Sequence, residues 1–216
     1  MKYLVFVGSV RDSAPPRPRR LGLRVARALA TQLRSETNDV TLVDPLEIAL
    51  ETPFKPHFSY ARGKAPRPLE ACAEEIEAAD GFVMASPEYN HAMSPALANL
   101  LNHFGSSLFS YKPSVIATYS AGQWGGTRAA VNMRTFLSEL GCLPVSAMIH
   151  VPKAHEVFDE NGGYLDGVDG ARWASYIDRA LSQLEWWANA AAYGRDEAGI
   201  DRPEAFRRDP SQRNAP

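Results

Sequence analysis

Cysteine is nearly absent from this chain. Cys72 and Cys142 are the only two in 216 residues, too few for a disulfide framework or a Cys/His metal cluster. They are expected to be free thiols in a reducing cytoplasm. Long hydrophobic runs are missing too: no segment approaches the ~20 apolar residues that cross a bilayer. Residues 2–7 enter a strand-like run without a signal-peptide cleavage pattern, so the expected location is the cytoplasm. Neither sign of charge dominates. Lys and Arg number 23 against 25 Asp and Glu, a formal net charge of −2, so nothing in the balance points to nucleic acid. The chain also lacks a Ser-His-Asp nucleophile elbow, a Walker loop and a His-Glu-x-x-His helix. His155-Glu156 with Asp159-Glu160 fits no metal-ligand spacing and reads as an exposed loop. No internal repeat is visible.

What is present is an alternation of short apolar runs and amphipathic stretches. A chain of this length, 45% hydrophobic, has room for a full core in one domain, expected over residues 1–193. Residues 194–216 have little apolar content and read as a surface tail, partly disordered. Strands are predicted over residues 3–7, 40–43, 81–85, 112–119 and 145–151. Helices are predicted near residues 21–33, 69–79, 94–104, 127–140 and 173–188, with the tryptophans of the last one in the core. Ser94 followed by Pro95 is a strong helix start. Such alternation predicts a parallel sheet covered by helices on both faces. Residues 51–68, rich in proline yet also in aromatics, are expected to form an ordered arm, over the site or at a subunit contact.

Three strand-end segments carry the candidate chemistry. Gly8-Ser9-Val10-Arg11 follows the first strand, and glycine, serine and arginine ahead of a helix suit a phosphate. Ser86-Pro87-Glu88-Tyr89-Asn90-His91 follows the third and is expected to be a polar loop. Ser120-Ala121-Gly122-Gln123-Trp124-Gly125-Gly126 follows the fourth, and its glycines let a planar ligand come close to the backbone. Gly125 and Gly126 are expected to leave room for a ring edge rather than to serve the turn alone. His91 is the histidine expected nearest the site, more as a satisfied loop residue than as an acid.

These motifs resemble, in order, those of the NADPH-dependent FMN reductase family. The resemblance rests on Gly-Ser-x-Arg, on Ser-Pro-Glu-Tyr-Asn-His with the following Ser-Pro-Ala-Leu-Ala-Asn, and on Ser-Ala-Gly-x-Trp-Gly-Gly. It extends over roughly residues 3–190. It implies a flavodoxin-like, three-layer α/β/α fold with a five-stranded parallel sheet of order 2-1-3-4-5, which makes the strands bearing the three segments neighbours. It implies FMN and NADPH (or NADH) as cofactors, held by Ser9, Arg11, Arg20, Pro87, Glu88, Tyr89, Asn90, Ser120, Ala121, Gly122, Trp124 and Gly125. No side chain is assigned as catalytic. The proline-rich stretch 12–19 departs from the family pattern and leaves open which of Ser13, Arg17, Arg19 and Arg20 completes the phosphate site. The expected activity is electron transfer from NAD(P)H through FMN to free flavin, a quinone or another small acceptor, in a homodimer or dimer of dimers. The alternative is a flavoprotein that carries electrons to, or senses them from, a protein partner.

Overall fold

Residues Lys2–Val7 form the first strand, β1, with every residue after Lys2 buried. Tyr3, Val5 and Val7 face one apolar layer while Leu4 and Phe6 face the other, so a continuous apolar run satisfies both sides of a covered sheet. The computed structural model describes residues 1–11, 20–34, 37–48, 50 and 53–207.

The elements follow as α1 (Leu21–Leu33), β2 (Asp39–Val43), α2 (Arg67–Ala78), β3 (Gly81–Tyr89), β4 (Ala92–Met93), α3 (Pro95–Asn102), α4 (Ser106–Phe109), β5 (Pro113–Tyr119), α5 (Thr127–Leu140), β6 (Leu143–Pro144), β7 (Ile149–Val151) and α6 (Gly170–Asp196). β2, β1, β3 and β5 lie side by side in parallel, and β6 and β7 both pair with the far edge of β5. The layer against α1 and α6 buries Val25, Leu29, Ile177, Leu181 and Leu184; the layer against α2, α3 and α5 buries Ile76, Leu97, Leu100, Met133 and Leu137. Cys72 and Cys142 are buried free thiols in that second layer.

The sheet has seven strands where five were expected. Of the expected fifth strand, 145–151, only Ile149–Val151 pairs as a strand, β7, and a separate short strand, β6, precedes the expected range. Between the pairs Ser114↔Pro144 and Ala117↔Ile149, β5 passes through two residues, 115 and 116, while its partner passes through four, 145–148. Across the surplus the Val145 N–H still donates to the Ser114 carbonyl, while the Arg134 guanidinium donates to the carbonyls of Val145 and Ser146 and Gln183 accepts from the Ala147 N–H. The other added strand, β4, folds back on β3 as a hairpin.

The start of α3 is as its residues dictate. Pro95 opens it and the Ser94 hydroxyl accepts from the Leu97 N–H at 3.1 Å. The helix stops at Asn102 rather than reaching Phe104, which is buried in the turn leading to α4. In α6, Trp173 packs on the core, but Trp186 and Trp187 do not: they are 63% and 42% exposed, contrary to the expectation of core positions. The helix continues through Arg195, which pairs with Asp80 at 3.0 Å, and Arg202 beyond it donates to the Ser107 carbonyl.

The aromatic arm packs onto α2 and the end of α3. The His57 N–H donates to the His103 carbonyl at 2.7 Å, His57 Nε2 meets Glu70 at 3.1 Å, and Phe54 sits edge-on to the His103 ring. None of its described residues lines the cleft at the other end of the sheet.

Candidate active site

The carboxyl ends of β1, β3 and β5 deliver the three singled-out segments to one cleft of about 740 Å³. This is where a doubly wound sheet leaves a crevice between diverging connections.

At the end of β1, the Gly8 N–H donates to the Ala85 carbonyl at 2.7 Å, and a side chain at Gly8 would overlap that carbonyl. Glycine therefore lets β1 run tight against β3. Ser9 is buried, and the N–H groups of Ser9 and Val10 meet no acceptor among the described residues. The Arg20 guanidinium donates to the Ser9 carbonyl and forks onto the Asp44 carboxylate, with Nη1 to Oδ1 at 3.1 Å. Both charges are nearly buried, each neutralised by the other. Arg20 thus braces the start of α1 against the ends of β1 and β2, while Arg11 stands exposed on the cleft wall. Ser13, Arg17 and Arg19 lie outside the described residues.

The polar loop expected after the third strand is strand and hairpin instead. β3 runs on through Tyr89, still paired with β5 as far as Pro87↔Tyr119. It reverses at Asn90 and His91, with φ of 50° and 65°. Two successive left-handed residues make the tight turn that matches strand twist, and asparagine tolerates that region best among non-glycines. The turn holds Asn90 and His91 exposed, and His91 is absent from the cleft wall; His155, in a 3-10 turn after β7, is the histidine that reaches it.

The glycine-rich segment after β5 is organised by Ser120. Its hydroxyl donates to the Gly122 carbonyl at 2.7 Å and accepts from the Gly125 N–H at 2.9 Å. Gly125 and Gly126 have φ of 61° and 75°, and a side chain would press Gly125 onto Pro152 at 3.1 Å and Gly126 onto Thr118 at 2.9 Å. The turn accounts for both glycines without a ring beside them. At Gly122, by contrast, a side chain would meet open space. The N–H groups of Ala121, Gly122 and Gln123 have no acceptor among the described residues.

Glu88 joins two of the segments. Helix α5 begins at a left-handed Gly126, which has no side chain to cap it. The Glu88 carboxylate, projecting from β3, takes that place. Its Oε2 accepts from the N–H groups of Arg128 and Ala129 at 3.2 and 3.3 Å, and its Oε1 lies 3.5 Å from the Arg128 guanidinium. A carboxylate at a helix N-terminus also meets the positive end of its dipole. Arg128 in turn lies over the exposed Trp124 ring.

Ser9, Arg11, Arg20, Pro87, Glu88, Tyr89, Ser120 and Ala121 therefore share one cleft wall, whereas Asn90, Gly122, Trp124 and Gly125 sit in its loops without lining it. Leu21, Gly22, Arg24, Tyr119 and His155 join the lining unforeseen. Tyr119 closes β5 immediately before the glycine-rich segment, a place that alone marked it. Its hydroxyl is buried against Gly22 and hydrogen-bonds to nothing among the described residues. Burial pushes the phenol well above its ordinary pKa, so it stays a donor; Ser9 is near enough to oppose that rise but outside hydrogen-bond geometry.

An anionic, planar, partly apolar ligand fits these features. Among the described residues, N–H groups without an acceptor lie on both sides of the cleft, a phenol without a partner borders it, and the exposed Arg11 makes no ion pair. Among the described residues no group of three or more His, Cys, Asp or Glu could hold a metal ion, and no helix is long and apolar enough to cross a membrane.

Known proteins agree with this picture. An NAD(P)H-dependent FMN reductase of Pseudomonas aeruginosa is 35% identical over 59% of this chain and 69% of its own length. An NADPH azoreductase of a Bacillus species is 33% identical over 64% and 69%, and a quinone reductase of Escherichia coli 32% identical over 49% and 61%. Among solved structures, a flavoenzyme NAD(P)H:(acceptor) oxidoreductase from Paracoccus denitrificans superposes with a TM-score of 0.64 over 86% of this chain and 97% of its own, at 18% identity. An NADH:FMN oxidoreductase in its apo form gives 0.60 over 93% and 99%, at 14%. At such identity they speak for the flavodoxin-like fold. The sequence profile that describes NADPH-dependent FMN reductases matches residues 1–156, from β1 through the cleft to His155 and Glu156, and the chain belongs to that family.

Proposed function

We propose that this protein is an FMN-dependent NAD(P)H oxidoreductase that reduces small acceptors such as quinones, azo compounds and free flavin. The observation that carries the reading is the convergence of three strand-end segments at one crevice, the first and third of them bringing N–H donors that have no acceptor among the described residues. Bound there, FMN would supply the hydride chemistry. The N–H groups of Ser9 and Val10 with the Arg11 fork are the candidates to hold its phosphate. Pro87, Tyr89 and Ala121 are placed to flank the ring, and the N–H groups of Ala121 and Gly122 to donate to the ring edge where negative charge gathers on reduction. Fixed donors of this kind favour that charge without having to reorganise. The site asks no side chain to exchange protons with substrate.

The family resemblance further supports a homodimer, and two buried thiols suit a cytoplasmic enzyme. The direct test is the visible spectrum of the purified protein, followed by NADPH oxidation with a quinone, an azo dye, free FMN and ferricyanide. A yellow protein turning over at least one of these is expected. A colourless protein that fails to bind added FMN would end the reading, and turnover only with a protein acceptor would favour an electron carrier.

A further inference from the structure

Charge is unevenly paired around the cleft. Arg20 is neutralised by Asp44, and Glu88 by the α5 terminus and Arg128. Arg11 follows Ser9 and Val10 in the chain and lines the cleft with its side chain exposed, and one arginine with two N–H donors is enough for an FMN phosphate. A second arginine remains. Arg24, one turn along α1 from Arg20, lines the same cleft. Its Nη1 makes one long bond, 3.3 Å to the Phe158 carbonyl, and its Nε is buried with no acceptor among the described residues. The carboxylate that feels it, Asp159, already accepts from the N–H groups of Asn161 and Gly163 and forms no ion pair with it. His155 borders the same wall and is half-exposed, with Glu156 at 3.7 Å.

We infer that Arg24 and His155 form a second anion subsite, between α1 and the 3-10 turn Ala154–Glu156, that takes a phosphate of the nicotinamide dinucleotide. Resting on the FMN reading, this makes Arg24 a determinant of dinucleotide choice. An arginine fork suits a phosphomonoester, which has three terminal oxygens and nearly two charges, better than a diester. The 2′-phosphate of NADPH is therefore the preferred occupant, and the pyrophosphate common to NADH and NADPH the competing source.

The test uses FMN-loaded protein and equilibrium titration with 2′,5′-ADP, 5′-AMP and ADP, beside kcat/KM for NADPH and NADH. The wild type is expected to bind 2′,5′-ADP more tightly than 5′-AMP. Arg24→Gln is expected to lower that preference, and the NADPH:NADH ratio, by about tenfold or more, with FMN affinity unchanged. His155→Asn, at an exposed position, is expected to act in the same direction with a smaller effect and serves if Arg24→Gln folds poorly. Equal loss of ADP and 2′,5′-ADP binding would move the subsite to the pyrophosphate and overturn the 2′-phosphate assignment. Loosened FMN with unchanged 2′,5′-ADP binding would assign Arg24 to the flavin phosphate and overturn the inference. Retained preference in both variants would do the same. A protein that binds no FMN fails at the earlier reading, whereas one that binds FMN but does not discriminate among the nucleotides fails only here.

Discussion

Arg11 and Arg20 sit at the two ends of one connection, and the fold uses them oppositely. Arg11 is exposed on the cleft wall, so Arg11→Ala should weaken FMN binding by about 1.5–3 kcal/mol, the scale of a hydrogen bond to a charged group, with melting unchanged. Arg20→Ala strands the buried Asp44 carboxylate and should cost about 3–5 kcal/mol of stability. Flavin fluorescence titration and denaturant melts separate the two, and equal effects on both readouts would refute the division of labour. Gly126 belongs to the same scale. Its left-handed φ and its closeness to Thr118 mean that Gly126→Val should lower apoprotein stability by at least about 1–3 kcal/mol, before any flavin is added. Unchanged apoprotein melting would return the glycine pair to the ring.

Among the elements, α5 depends on a cap borrowed from another strand. Glu88→Ala removes the acceptor for the Arg128 and Ala129 N–H groups and should cost about 0.5–2 kcal/mol, the range for losing an N-cap. Glu88→Gln keeps an acceptor oxygen and should recover most of it in a urea melt. Recovery is the decisive outcome, because a mere packing role would tolerate neither change differently. At the opposite end of the sheet, the buried Lys112 ammonium donates to the Ile76 and Glu77 carbonyls at the C-terminus of α2, at 2.7 Å each. Burial, then the nearby Arg202 and Arg195, push it down from 10.5 to about 7. Between those values the unfolded chain holds a proton that the folded chain has released, so this group makes stability rise with pH across that window. The Cys72 and Cys142 thiols, pushed up by burial from 9.0 to about 12, act in reverse, and their contribution falls with pH above 9. Melting temperature should therefore climb from neutral pH toward pH 9, and Lys112→Met should flatten the climb. A wild-type curve flat over that interval would rule this out.

At the scale of the molecule, the sequence revealed what depends on local chemistry. The periodic Val25, Leu29 and Leu33 placed α1, Ser94-Pro95 placed the start of α3, and the apolar runs placed the sheet, while its order came from the family resemblance. The misplaced features are those set by distant partners. Nothing near Ser86–Tyr89 announces that β5 will pair with it as far as Pro87, so a strand looked like a loop. Nothing near residues 145–148 shows that Arg134 and Gln183 will take up their carbonyl and N–H groups in place of a strand partner. The capping role of Glu88 was not legible because its helix lies forty residues on, and the place of His155 on the cleft wall was not because its turn meets α1 only in the folded chain. Trp186 and Trp187 were expected in the core with the rest of their helix, yet they fall outside its inner stripe of Ile177, Leu181 and Leu184. Assembly belongs here too. Light scattering at micromolar concentration should report a homodimer, and a fully active monomer would exclude it.

The two buried cysteines have a meaning beyond redox compartment. Thiolates add to electrophilic quinones, and such addition requires both exposure and ionisation of the sulfur. Cys72 and Cys142 offer neither, being closed into the layer beneath α2 and α5 and held protonated. A catalyst of electrophile reduction with surface thiols would arylate itself as it worked. This chain keeps its two thiols where an electrophilic acceptor in the cleft cannot reach them while the fold is intact.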